Sequence, residues 1–153
     1  MTIEKTILSN LVFNENYARK CIPFLKDEYF KSNIEKRVFK LIDGFVKKYN
    51  TFPTKRVLLL ESDAQKDHTE QSFKETQEYI DGLNNEEVKE KWLVDETEKF
   101  CQDQALFNAI STSIKLMNDE IALNREILGI DPLDSSPFSS FISLIDVEIA
   151  LNR

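Results

Sequence analysis

The densest group of side chains able to do chemistry is the run Glu86-Glu87-Val88-Lys89-Glu90. Carboxylates at E-E-x-x-E spacing on a helix can hold Mg²⁺ for nucleotide hydrolysis, because a hard cation takes oxygen ligands. Mg²⁺ takes more oxygen ligands than this run offers, and a second acidic pair at E-x-x-D spacing on a following helix would supply them. Glu96, Glu98, Glu120 and Glu126 are followed three residues later by Lys99, Cys101, Leu123 and Gly129. That second half is missing, and an acidic helix N-terminus, favoured by the helix dipole, accounts better for the run. His68 has no second His or Cys at ligand spacing and reads as a surface-loop residue. Cys21 and Cys101 lie far apart without a pairing pattern and read as two buried, reduced thiols. With 3 Gly in the chain there is no nucleotide-cradling loop, no G-x-x-x-x-G-K-[ST] and no nucleophile elbow. No catalytic residue, metal or cofactor is expected. Lys36, Lys40, Lys47 and Lys48 form a basic face, most simply a solvated one. An acidic protein neighbour is the next reading.

These residues sit in a chain of 153 with 41% apolar and 31% charged side chains, enough for one domain with a real core. The net charge of −7 argues against a protein that coats DNA, so no tight nucleic-acid binding is expected. The charge is uneven. Residues 1–58 carry 12 basic and 6 acidic side chains, net +6, and residues 59–153 carry 8 and 21, net −13. Such asymmetry can let one part of a molecule attract another part of its neighbour. No apolar stretch approaches the roughly 20 residues that span a bilayer. Met1-Thr2-Ile3-Glu4-Lys5 does not open like a secretory signal, so a cytoplasmic location without membrane contact is expected.

The elements that must position all this are helices. Ile7, Leu8, Leu11 and Val12 mark one over Ile3–Phe13, ended by Asn14. A short helix through Tyr17–Cys21 stops before Pro23. The spacing of Ile34, Val38, Leu41, Ile42, Phe45, Val46 and Tyr49 predicts a core-facing stripe, with Ser32 and Glu35 as a capping box. Thr54 caps a helix to about Ser62 that buries Val57, Leu58, Leu59 and Leu60, and Thr69 caps another that stops at Gly82-Leu83-Asn84-Asn85. A long helix then runs from about Glu86 to Leu123 or beyond. Leu93, Phe100, Phe107, Ile114 and Ile121 are spaced by sevens, with Ile110 and Met117 three residues after two of them. That is the seam of a helix packing lengthwise on another helix. At about 1.5 Å per residue the helix would span on the order of 50 Å, more than a compact core needs. Phe100, Phe107, Ile110, Ile114, Met117 and Ile121 are therefore the candidate oligomer or partner interface. Residues 129–137 read as a linker and 138–153 as a short apolar helix, after a helical domain at 1–128. Glu-Ile-Ala-Leu-Asn-Arg occurs at 120–125 and again at 148–153, an echo without a physical account.

Three stretches carry a resemblance. The first runs from Ile7-Leu8-Ser9-Asn10-Leu11-Val12-Phe13 to Glu28-Tyr29-Phe30. The second is Val38-Phe39-Lys40-Leu41-Ile42 through Phe52-Pro53. The third is Trp92-Leu93-Val94-Asp95-Glu96-Thr97-Glu98-Lys99-Phe100, continuing to Ala105-Leu106-Phe107-Asn108-Ala109. In order and spacing they resemble the N-terminal domain of the replicative DNA helicases of T-even-type bacteriophages, within the DnaB-like family, over about residues 7–115. The resemblance implies an all-α fold: a compact helical globule, then a long helix or helical hairpin. It implies domains that associate in dimer pairs and form a collar on a hexameric ring. The collar docks primase, and a helicase loader is a further partner. A linker leads in that family to a RecA-like ATPase, which this sequence lacks, and the part after about Leu116 matches poorly. Helicase activity is not carried over. The expected role is a non-catalytic oligomerisation and primase-recruiting domain. The alternative is a stand-alone phage helical adaptor or regulator that binds replisome or host proteins, and a Mg²⁺-dependent nucleotide hydrolase is the outsider.

Overall fold

A computed structural model describes residues 2–65 and 69–128. The linker and apolar helix expected at 129–153, the second Glu-Ile-Ala-Leu-Asn-Arg segment and His68 lie outside those residues. The described chain is all-α, without a strand. Six α-helices follow in order: α1 Ile3–Phe13, α2 Glu15–Cys21, α3 Asn33–Tyr49, α4 Lys55–Ala64, α5 Glu70–Asp81 and α6 Glu90–Leu128. Single 3₁₀ turns at Ile22–Phe24 and Asp27–Tyr29 join α2 to α3. By contacts the chain divides into two units, Met1–Ala105 and Leu106–Arg153, with the boundary inside α6.

Local chemistry sets most of the boundaries. Asn14 ends α1 and also caps α2, its side-chain oxygen accepting the Tyr17 N–H at 3.0 Å. Thr2, Thr54 and Thr69 cap α1, α4 and α5 in the same way. Asn50 takes the left-handed conformation (φ 53°) that closes α3. The capping box at Ser32 is only half formed. Ser32 makes no side-chain cap, and the Glu35 carboxylate instead accepts from the Ser32 backbone and, at 3.2 Å, from the Tyr79 hydroxyl on α5.

Three other expectations are corrected. Leu60 is 60% exposed, and Val57 and Leu59 are half-buried, leaving Leu58 as the buried residue of that run. Four consecutive helical residues spread over most of a turn and cannot all face one side. Tyr49 is likewise exposed, its ring 4.6 Å from that of Phe45. The long helix starts at Glu90, not Glu86. Leu83 is buried and Val88 packs against the core, and a non-helical path connects these two anchors.

The core of the first unit is drawn from α1 (Ile7, Leu8, Leu11), α2 (Tyr17, Ala18), α3 (Val38, Phe39, Leu41, Ile42) and the start of α6 (Leu93, Phe100). Phe30 sits at its aromatic centre, stacked on Phe39 at 5.2 Å and tilted on Phe100 at 5.6 Å. Arg37 ties α3 to α5 by donating to the Ser72 carbonyl at 3.1 Å and the Thr76 hydroxyl at 2.9 Å.

Candidate interaction site

The carboxylate run has no helix to hold it. Glu86 and Glu87 lie exposed in the non-helical segment before α6, and Glu90 is paired with Lys20. Among the described residues no three His, Cys, Asp or Glu side chains come together in a way that could hold a metal. Cys21 is buried and Cys101 half-buried, both as free thiols. Burial, followed by the neighbouring Cys21, pushes the Cys101 thiol up to about 11. It is therefore protonated, and a poor nucleophile, at neutral pH.

The basic face on α3 is partly neutralised within the chain. Lys40 lies 3.4 Å from Asp27, Lys47 2.5 Å from Asp43, and Lys48 is placed over the Tyr49 ring at 5.0 Å. Lys36 is half-buried. Local pairing of this kind leaves less charge to steer a distant partner.

The apolar seam on α6 is divided by the unit boundary. In the first unit Leu93, Thr97 and Phe100 turn into the core, and Phe100 is only 6% exposed. Thr97 was not legible as a seam residue because it is polar. Its hydroxyl donates to the Leu93 carbonyl at 2.7 Å, which leaves its oxygen to accept from the Tyr17 hydroxyl, also at 2.7 Å. Burial raises the Tyr17 phenol well above its ordinary value, so it stays a donor.

In the second unit, over residues 106–127, the half-buried positions are Phe107, Asn108, Ser111, Ile114, Asn118, Ile121 and Arg125. All but Asn108 follow one another at alternating spacings of four and three. Phe107, Ile114 and Ile121 belong to the seam predicted from sequence, whereas Ser111, Asn118 and Arg125 alternate with them and were missed because only apolar residues were sought. Ile110, at 47% exposure, and Met117, at 50%, flank this stripe. Leu116, Leu123 and Ile127 are exposed as well. At about 100° per residue they fall on the side of the helix opposite Phe107 and Ile114. This stretch therefore carries apolar side chains on two sides, which a helix covered along one stripe only does not require. Among the described residues no helix is long and apolar enough to cross a membrane.

No family model matches the chain. It is similar to a DnaB-like replicative helicase of Enterobacteria phage T4, with 36% identity over 115 residues. The match takes in 74% of this chain but 24% of that protein, so the chain corresponds to about a quarter of its relative's length.

Proposed function

We propose, from that similarity, that this chain is the N-terminal oligomerisation and partner-docking domain of a phage replicative DNA helicase, without a motor of its own. Its partners in this reading are further copies of itself, in dimer pairs or a ring, and primase. A helicase loader is a further candidate. The work is done in the cytoplasm of the infected host cell, and the chain makes no tight contact with nucleic acid.

The observation that carries the reading is the exposed apolar pair Ile110 and Met117, flanking the half-buried stripe on α6. Exposed apolar side chains in register are what a second helix can cover along its length. The phage T4 relative is a DnaB-like replicative helicase, of which this chain matches about a quarter. The chain's sequence carries no phosphate-binding loop through which it could turn over nucleotide itself.

The test is the double substitution Ile110→Asp with Met117→Asp. Both side chains are about half exposed, so the fold should survive the change. The expected outcome is a fall in solution mass with helicity retained. An unchanged mass would place the interface elsewhere.

A further inference from the structure

Helix α6 starts at a residue that cannot cap it. The Lys89 carbonyl accepts the Leu93 N–H at 3.0 Å, which puts Lys89 in the N-cap position. A lysine side chain carries no hydrogen-bond acceptor, and its charge opposes the positive end of the helix dipole. By contrast, α1, α2, α4 and α5 each start on a Thr or Asn whose side chain accepts a first-turn N–H. Five residues upstream of Lys89 the sequence offers a start of that kind. Asn84 and Glu87 have the spacing of a capping box. A helix begun there would also carry Glu86 and Glu87 in its first turn, where the dipole favours them.

Packing holds this segment out of the helix. Glu86 donates its N–H to the Asn84 carbonyl at 3.1 Å, a three-residue turn in place of a helical bond. Leu83 is buried and Lys55 donates to its carbonyl at 3.4 Å, which fixes the upstream end. Val88 packs against the core from the unwound path. At about 100° per residue, a continued α6 would turn Val88 roughly 140° away from Leu93. Leu93, Thr97 and Phe100 are the buried face, so Val88 cannot be both helical and packed on the core. The unwound residues also build a wall. Asn85, Glu86, Glu87 and Val88 line a polar groove of about 560 Å³ together with Asn10, Phe13 and Asn14 at the α1–α2 corner.

We propose that residues 85–89 are a two-state strap, a latent start of α6 that Val88 holds unwound and whose coiling withdraws this wall from the groove. Capping and the dipole favour the coiled form, and packing of Val88 favours the strap. Two packings of one segment that differ little in free energy are a means of opening and closing a site. The inference concerns the first unit and stands whether or not α6 associates through Ile110 and Met117.

Backbone NMR of the full chain tests it, read as Cα shifts at residues 85–89 and amide exchange at Glu90, Lys91 and Trp92. Those three N–H groups lack helical acceptors at the observed start of α6 and would gain them on coiling. The wild type should show unwound shifts. Val88→Ala removes the anchor and raises helix propensity, so the shifts should become helical and the three amides should exchange at least about tenfold more slowly. Adding Lys89→Asn caps the observed start and should restore the wild-type pattern. By itself Lys89→Asn should raise the melting temperature. Helical shifts in the wild type, or unwound shifts in Val88→Ala, would overturn the proposal. So would outright unfolding of Val88→Ala, or a melting temperature that Lys89→Asn leaves unchanged.

Discussion

At the scale of single residues, the Tyr17–Thr97 pair shows how a polar contact can hold α2 on α6 inside an apolar core. The Thr97 proton goes to the Leu93 carbonyl, so the two hydroxyls are not equivalent. Tyr17→Phe removes a donor and leaves Thr97 bonded to its own helix, at a cost of about 1 kcal/mol. Thr97→Val leaves the buried Tyr17 hydroxyl only the Cys21 thiol, a weak partner, and a loss of about 1–3 kcal/mol is expected. Urea denaturation of the two variants checks the order, and equal losses would contradict the assignment of donor and acceptor. Cys101 gives a pH prediction. Its thiol is raised to about 11, so the thiolate, the reacting form, is scarce at neutral pH. The rate of maleimide labelling at Cys101 should therefore climb about tenfold per pH unit from pH 7 towards 10. A plateau near pH 9 would show an ordinary thiol. The capping box failed as an expectation at this scale. A sequence gives the spacing of Ser32 and Glu35, but not that the Glu35 half forms, with Tyr79 as a further donor, while the Ser32 side chain makes no cap.

At the scale of elements, helix identity was legible wherever an apolar stripe or a capping residue marks the helix. α1 came out at its observed bounds, and α3 at the observed stripe apart from Tyr49. The start of α6 was not legible. Glu86–Lys89 is as helix-compatible as the first turns of α6, and only the tertiary anchoring of Leu83 and Val88 draws it out of the helix. The seven-residue repeat on α6 was legible as a repeat but not as a surface. Spacing cannot tell that Phe100 ends in the core against Phe30 while Ile110 and Met117 stay exposed. The two positions should therefore respond differently. Phe100→Ala removes a buried ring and should cost about 3–5 kcal/mol. Met117→Ala should change stability by less than about 0.5 kcal/mol in the monomer. Circular dichroism melts of both variants, at concentrations where no association occurs, compare them directly. Similar melting temperatures would mean that the two residues share one environment.

At the scale of the whole molecule, charge and apolar surface make separate contributions. In the proposed assembly the +6 and −13 split between residues 1–58 and 59–153 would favour attraction between copies, although Lys40 and Lys47 already have partners in Asp27 and Asp43. Exposed pairs contribute only about 0–1 kcal/mol each, so apolar packing must supply most of the affinity and charge the orientation and rate. Raising salt from about 0.1 M to 1 M shortens the Debye length from about 10 Å to 3 Å. Association measured by stopped-flow scattering should slow as a result, and a rate indifferent to salt would reduce the asymmetry to a solvated surface. The central claim is that the exposed apolar residues of α6 make this chain an assembly domain. Light scattering coupled to size exclusion tests it most directly. The account predicts that the wild-type chain elutes at a multiple of its 17.9 kDa mass and that Ile110→Asp with Met117→Asp lowers that mass while keeping the helical spectrum. A wild-type chain that stays at 17.9 kDa at every accessible concentration would contradict it.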